Sequence, residues 1–313
     1  MTAIILINWN GAKDTLACLE SLNRVQGEFV VIVVDNHSTD NSLQLIQQWK
    51  DGHLSFPLHI VEEKENHGFA RGNNIGIQFA SQFHPKYYLL LNNDTEVEPD
   101  FLQNLTEFHA LHPQYKVLTP QINYYYDKSI VWLCGGNLKF GSRSKLYQDR
   151  LSSEITEQDY IPVTFVSGCA LWCTSDLLLP NGELLTNRFF FGEEDYDFAL
   201  RMQQAGVQMA CVLSSRIYHK VGASRSRIKD DRNVGKDYCF YLGKLICCRL
   251  YYRPVKFAFL MALMLPKAFL LFKRTTGNWN HALSITCQLM KEAYHKQGIS
   301  REVFQHYVNN TFI

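Results

Sequence analysis

The sequence predicts an α/β fold: a mostly parallel central sheet with helices on both faces, followed by a C-terminal helical region. Three observations carry this expectation. Short, continuous β-branched runs alternate with helically spaced segments through the first hundred residues, the pattern of parallel strands buried on both faces. Polar residues gather just after those runs, where open α/β sheets bind ligands. From residue 233 onward the composition changes to a basic, aromatic and acid-poor stretch.

The elements follow in order. Ala3–Ile7 is a short apolar run and reads as a buried strand. Asp14–Leu22 has helical spacing, with Leu16, Leu19 and Leu22 facing inward. Phe29–Val34 is a second strand, closed by Asp35 and Asn36, Ser42–Trp49 is helical, and Leu58–Val61 is a third strand. Residues 70–82 form a helix that Gly72 and Gly76 weaken. Tyr87–Leu91 is a fourth strand that ends in Asn92, Asn93 and Asp94. The stretch 115–165 is irregular and aromatic. Residues 189–206 carry a helix with Phe198, Met202 and Ala205 on one face, an Asp197–Arg201 pair at i,i+4, and Gly206 as its stop. A strand at Gln208–Leu213 and a loop over 214–232, rich in Arg, Lys and Ser, come next.

The domain division falls at 1–228 and 229–313. In the second part no Asp or Glu lies between Tyr238 and Lys291. Phe257–Phe272 is strongly apolar, but Pro266 and Lys267 interrupt it, leaving it short of the roughly 20 residues that span a bilayer. A basic amphipathic segment lying in the membrane interface fits the acid-free composition; a core-packed helical hairpin is the alternative.

Bulk properties exclude several classes. With 313 residues, 46% hydrophobic and 19% charged, the chain is globular and long enough for one large core or two moderate ones. A net charge of +1 gives no whole-molecule attraction to nucleic acid. The nine cysteines are scattered, without CxxC or zinc spacing, and read as reduced thiols of a cytosolic protein. The start MTAIILINWNGAKD enters a strand directly, with no basic segment or cleavage site, so no signal peptide is expected.

Glu193, Glu194, Asp195 and Asp197 follow Phe189, Phe190 and Phe191. The acids fit an ordinary helix start stabilised by the helix dipole. They also fit a reaction centre, because an apolar wall raises a carboxylate's proton affinity toward what a general base needs. Asp35 ends the second strand and can accept hydrogen bonds from a ribose or base edge, whereas Asn36 to Asp40 read as a turn and cap. Asn66 to Asn74 bring Gly68, Arg71 and several amides to a helix start, a place that favours anions. This stretch is neither GxGxxG nor GxxxxGK[ST], which disfavours an NAD-dependent oxidoreductase and a P-loop NTPase. Asp94, at a strand end, can hold Mg²⁺ or Mn²⁺ against a diphosphate, with His219 as a second ligand; each also fits a plain loop residue.

In order, ILINWN, VVDNHSTD, NHGFARGNNIG, LLLNNDTEV, FVSGCALW, FFFGEEDYDFALRMQQAG and YHKVGAS resemble the family 2 glycosyltransferases of the inverting GT-A type. The nearest subgroup is the rhamnosyltransferase-like enzymes of bacterial polysaccharide synthesis. The resemblance covers about residues 3–225 and implies a GT-A fold with a nucleoside-diphosphate-sugar donor. It puts Asp35 at the base or ribose, Arg71 and Asn74 on the diphosphate side, and Asn8, Asn66, Gly68 and Asn93 beside them on the nucleotide sugar. Asp94 matches the last acid of the family's DxD metal motif, His219 a residue that can complete the site, and Asp195 the base of the ED pair, with Glu194 orienting it or binding acceptor. Two positions depart from the pattern: Asn92 replaces the first DxD acid, and the arginine–asparagine pair of the C-terminal helices is not recognisable after Tyr238.

The implied acceptor is a lipid-linked oligosaccharide or polysaccharide of O-antigen or capsule type. The implied location is cytoplasmic, on the inner face of the cell membrane and its anionic surface, and no nucleic acid partner is expected. Lys220, Arg225 or Arg227 would assist the leaving diphosphate. The alternative is a non-catalytic sugar-nucleotide binder or scaffold, to which Asn92 points.

Overall fold

The computed structural model describes residues 1–313 apart from 53–54, 158, 222–232 and 310–313. Its first part alternates β1 (Thr2–Asn8), α1 (Ala12–Leu22), β2 (Phe29–Asp35), α2 (Ser42–Lys50), β3 (Leu58–Glu62), α3 (Gly68–Ala80) and β4 (Tyr87–Leu91). Next come β5 (Thr95–Val97), α4 (Phe101–Leu111), β6 (Tyr115–Tyr124), β7 (Val131–Leu133), β8 (Gly136–Lys139) and β9 (Ser142–Lys145). Then follow β10 (Tyr160–Val163), β11 (Ala170–Thr174), α5 (Glu194–Gln204) and β12 (Gln208–His219). Four helices close the chain: α6 (Val234–Tyr251), α7 (Pro254–Thr276), α8 (Trp279–His295) and α9 (Arg301–Asn309).

Among the described residues, the main sheet runs β10-β12-β6-β11-β4-β1-β2-β3, with β5 on β12 and β7 on β6. The block β4-β1-β2-β3 is parallel, and so is the β6–β12 pair. Strands β11 and β10 run antiparallel to their neighbours. Alternation along each strand feeds two cores. Ile4, Leu6, Val31 and Val33 join α1, α2 and α4 on one face. Ala3, Ile5, Val30, Ile32 and Val34 join α3 and α5 on the other. The sheet is mixed, with a parallel block where the β-branched runs predict one, and it is covered on both faces as expected.

Helix α5 is packed on two sides. Phe198, Ala199 and Met202 point to the sheet, while Tyr196 and Leu200 join a third core with α6 to α9. The expected domain boundary at 228/229 lies outside the described residues. Three expectations are corrected. The predicted loop from 214 is strand as far as His219, because β12 passes a register shift between Val212 and Arg216 and pairs on with β6. Arg201 donates to the Leu184 carbonyl, while Asp197 lies 3.8 Å from Arg188. Pro266 does not interrupt the apolar run, since α7 is one 23-residue helix through it. Phe257, Leu260, Met261 and Met264 before the proline, and Ala268 and Phe272 after it, bury the same face; this packing offsets the roughly 3 kcal/mol that an internal proline costs. With a mean hydropathy of 1.9, α7 has the length and composition to cross a membrane, and a third of that window is buried within the protein.

Candidate active site

The strand ends carry a closed polar network. Asn8, fully buried at the end of β1, donates to Asp35 Oδ1 at 2.7 Å and to Ser38 Oγ at 3.0 Å, and accepts from Thr15 Oγ1 at 2.8 Å. Asp35 is 2% exposed and also accepts from the Ser38 hydroxyl and amide. Asn93 donates to Thr15 Oγ1 at 2.8 Å. Asn36 donates to Asn66 Oδ1 and the Gly68 carbonyl, and accepts from the His67 amide.

Several side chains expected at the nucleotide sugar make hydrogen bonds within the protein. Both donors of Asn8 are spent inside the protein, so its side chain braces the strand ends. Asn74, 1% exposed, donates to the Leu185 carbonyl and Asn187 Oδ1 and accepts from the Leu184 and Leu185 amides. Its whole hydrogen-bonding capacity fixes the 184–187 segment. The start of α3 is not an open anion site either: the Gly68 amide is taken by Asn66 Oδ1 and the Phe69 amide by the Phe190 carbonyl. Gly68 serves close approach, since a Cβ there would lie 2.0 Å from the Phe190 oxygen. Arg71 is exposed and makes no ion pair among the described residues.

At the next strand end, His219 Nε2 lies 3.1 Å from Asp94 Oδ1. The N–H is not aligned for a hydrogen bond, and Asp94 Oδ1 and His219 Nδ1 are both buried without a hydrogen-bond partner. Burial opposes charge on His219, but the Cys169 sulfur and Asp94 outweigh it and lift the imidazole to about 10. Trp132 packs edge-on against the ring at 4.6 Å. Lys220 is held by Asp14 at 3.4 Å and Glu96 at 3.3 Å, and Arg225 and Arg227 lie outside the described residues.

The acids at the start of α5 meet a cation that no local sequence signal marks. Arg143, on β9, places NH1 2.7 Å from Asp195 Oδ1 and NH2 2.9 Å from Glu193 Oε1. The Asp195 side chain keeps a fifth of its surface exposed, whereas that of Glu193 keeps 2%. Burial raises the proton affinity of Asp195, and Arg143 opposes it. Burial lifts Glu193 to about 7 against the pull of Arg143. Glu194 reaches about 8, through burial first and then the charge of Asp195, and accepts the Gly192 amide at 2.5 Å. Asp197 is structural: Thr186 and Tyr251 donate to it at 2.6 and 2.9 Å.

Two consecutive residues join the acid cluster to the Asp94–His219 pair. The Gly168 amide faces the Asp195 carboxylate, and the Cys169 thiol faces His219. The Cys169 carbonyl accepts the Asn92 amide at 2.8 Å. A Cβ on Gly168 would sit 2.9 Å from the Phe69 ring, so the start of α3 presses on the same step. The loops read as separate motifs thus converge on residues 167–169.

A parallel sheet with acids at these strand ends and an acid-led helix behind them defines the GT-A class of glycosyltransferase folds. The chain belongs to glycosyl transferase family 2, whose family description, "Glycosyl transferase family 2", matches residues 3–172. The low-salt glycan biosynthesis hexosyltransferase Agl10 of Haloferax volcanii is 27% identical over 122 residues, which cover 38% of this chain and 36% of that protein. The alignment therefore spans little more than a third of that relative. Among solved structures, S. aureus TarS 1–349 in complex with UDP aligns over 98% of this chain and 86% of its own, with a TM-score of 0.58 and 16% identity. The mannosyltransferase PcManGT from Pyrobaculum calidifontis, in complex with GDP-Man and Mn²⁺, aligns over 94% and 74%, with a TM-score of 0.55 and 15% identity. These two likenesses are of fold. They agree with the GT-A architecture read from the motifs.

Proposed function

We propose that this chain transfers a hexose from a nucleoside-diphosphate sugar to a hydroxyl of a lipid-linked or polysaccharide acceptor, inverting the anomeric carbon. Cell-surface glycan synthesis of O-antigen or capsule type is the setting, and rhamnose is the sugar implied by the resemblance to the rhamnosyltransferase-like subgroup. One observation supports this function above the rest: residues 168 and 169 adjoin both the strand end at Asn92, through the Cys169 carbonyl, and the Phe69–Phe190 contact that leads into the acid cluster.

Asp195 takes the acceptor proton as the oxygen attacks, and no covalent enzyme intermediate forms. Glu194, buried against the Gly192 amide, holds the helix start that carries Asp195. Asp35 and Asn93 lie at the nucleotide end, and exposed Arg71 offers a charge to the diphosphate. Among the described residues no group of three or more side chains can hold a metal ion. Asp94 and His219, whose Oδ1 and Nε2 lie 3.1 Å apart, would hold a Mg²⁺ or Mn²⁺ together with substrate phosphates, with the imidazole in its neutral form. When bound there, such a cation stabilises charge developing on the leaving diphosphate.

The chain works on the cytoplasmic side, at an anionic membrane surface. Support comes from the acid-free stretch between Tyr238 and Lys291 and from outward apolar side chains, Phe259, Leu263 and Leu270 on α7 and Trp279, Leu283 and Met290 on α8. A second function, non-catalytic binding of a sugar nucleotide, draws on Asn92 and on the Arg143–Asp195 pair, which lowers the basicity of the expected base.

Thermal unfolding with dTDP-, UDP- and GDP-sugars, with and without Mn²⁺, tests the donor assignment. One donor is expected to raise the melting temperature, and only when the metal is present. Failure of every nucleotide sugar to shift it would remove both functions.

A further inference from the structure

Three elements of the C-terminal side enclose a cavity of about 320 Å³ that no part of the donor site uses. The β8–β9 hairpin supplies Lys139, Phe140 and Ser142, α6 supplies Phe240 and Lys244, and α7 supplies Met264 and Lys267. Three ammonium groups line it without a carboxylate among them. Lys244 is only 9% exposed; its Nζ lies 3.4 Å from Ser142 Oγ and makes no ion pair among the described residues. Gathering three ammonium groups with no lining carboxylate is costly; burial lowers the hold of Lys244 on its proton, and the Glu193 charge opposes this from outside the lining. An anion in the cavity would offset that cost.

The surround is hydrocarbon. Phe140 is 76% exposed, and Phe240 and Leu263 about two-fifths exposed at 41% and 42%. From Leu263 the outward face of α7 continues through Phe259 to Val255, one helical turn at a time. Cations beside an aromatic and aliphatic strip match a phosphate joined to a long hydrocarbon.

The cavity also adjoins the acid cluster. Ser142 precedes Arg143, which pairs with Asp195. Gly243 precedes Lys244 and packs so closely that a Cβ on it would lie 2.9 Å from Glu193 Cγ.

We infer that this cavity binds the phosphate or diphosphate head of an amphiphilic acceptor whose hydrocarbon chain runs out along α7. The inference rests on the lipid-linked acceptor proposed above and gives that acceptor a site. The occupant is the acceptor, not a bilayer phospholipid, because the cavity abuts the residues that flank Asp195.

Binding of farnesyl diphosphate to the full chain, followed by calorimetry, tests it. Farnesyl diphosphate is expected to bind at least about tenfold tighter than inorganic pyrophosphate or farnesol alone. Lys139→Glu and Lys267→Glu, both at exposed positions, should each weaken it about tenfold while the unfolding temperature stays unchanged. Lys244→Met, which removes the buried charge but keeps the volume, should weaken it at least as much. Undiminished binding in all three variants would overturn the inference, as would equal affinity for pyrophosphate. Mixed phosphatidylcholine–phosphatidylglycerol vesicles form the other arm. Displacement of farnesyl diphosphate by these vesicles, lost in the same variants, would hand the cavity to bilayer lipid and overturn the acceptor assignment. The donor screen is read separately: farnesyl diphosphate binding without any nucleotide-sugar response would sink the transferase function and leave this site standing.

Discussion

Two polar clusters lie near the strand ends, and they are built on opposite principles. Around Asn8, Thr15, Asp35 and Ser38, mostly neutral groups saturate one another at 2.6–3.0 Å, and Asn8 and Asp35 are at most 2% exposed. Around Glu193, Glu194 and Asp195, two of the three carboxylates pair with a single guanidinium, and burial drives the proton affinity of each of the three upward. The first cluster stabilises the fold because nothing in it is left unmet. The second keeps chemical capacity because its charge is only partly met. The two similar-looking polar clusters thus differ in how fully their groups are met.

That division can be broken most decisively at Asp195. Asp195→Asn should lower sugar transfer by about 10²–10⁴-fold, with nucleotide-sugar stabilisation retained, as measured by steady-state product formation. Unchanged turnover would move the chemistry elsewhere and favour the binder. In the scaffold cluster, Asn8→Ala should cost about 2 kcal/mol of stability by stranding partners on Thr15, Asp35 and Ser38. The urea midpoint reports it, and a midpoint equal to that of the parent would show that this network is not structural.

The smallest effect is the pH dependence of stability. Glu193 and Glu194 bind protons more tightly when folded, at about 7 and about 8 against ordinary values of 4.5. Their contribution is therefore complete below pH 4.5 and is lost as pH rises through 8. The melting temperature should fall across that window, and Glu194→Gln should flatten its upper part. A melting temperature that rises across the window, or a Glu194→Gln curve parallel to the parent's, would reject the assignment.

The parallel block was legible because β1, β2 and β4 are uninterrupted apolar runs and both their faces are buried. Strands such as Gly136–Lys139 and Ser142–Lys145 were not, since four-residue polar segments such as GNLK and SRSK carry no period to detect. Arg143 was hidden for the same reason: it meets Asp195 across 52 positions, a fact of tertiary folding alone. The only hint was an excess of acid after three phenylalanines, which demands a buried cation from somewhere. Asn8 and Asn74 show a different limit, since both are hydrogen-bonded inside the protein. An amide at a strand or helix end is as well suited to bracing the backbone as to holding a ligand, and residue type cannot separate the two. Pro266 obeyed the wrong rule, because the shared buried face on both sides of it outweighed the local break.

The contacts to Asp195 and to His219 arise from neighbouring residues, Gly168 and Cys169. One peptide unit, about 3.8 Å from Cα to Cα, therefore ties the surroundings of the acid cluster to those of the Asp94–His219 pair. Rearrangement of the surrounding loops cannot stretch that link. Under the proposed function, a single residue inserted between 168 and 169 is expected to uncouple Asp195 from the Asp94–His219 pair and abolish transfer.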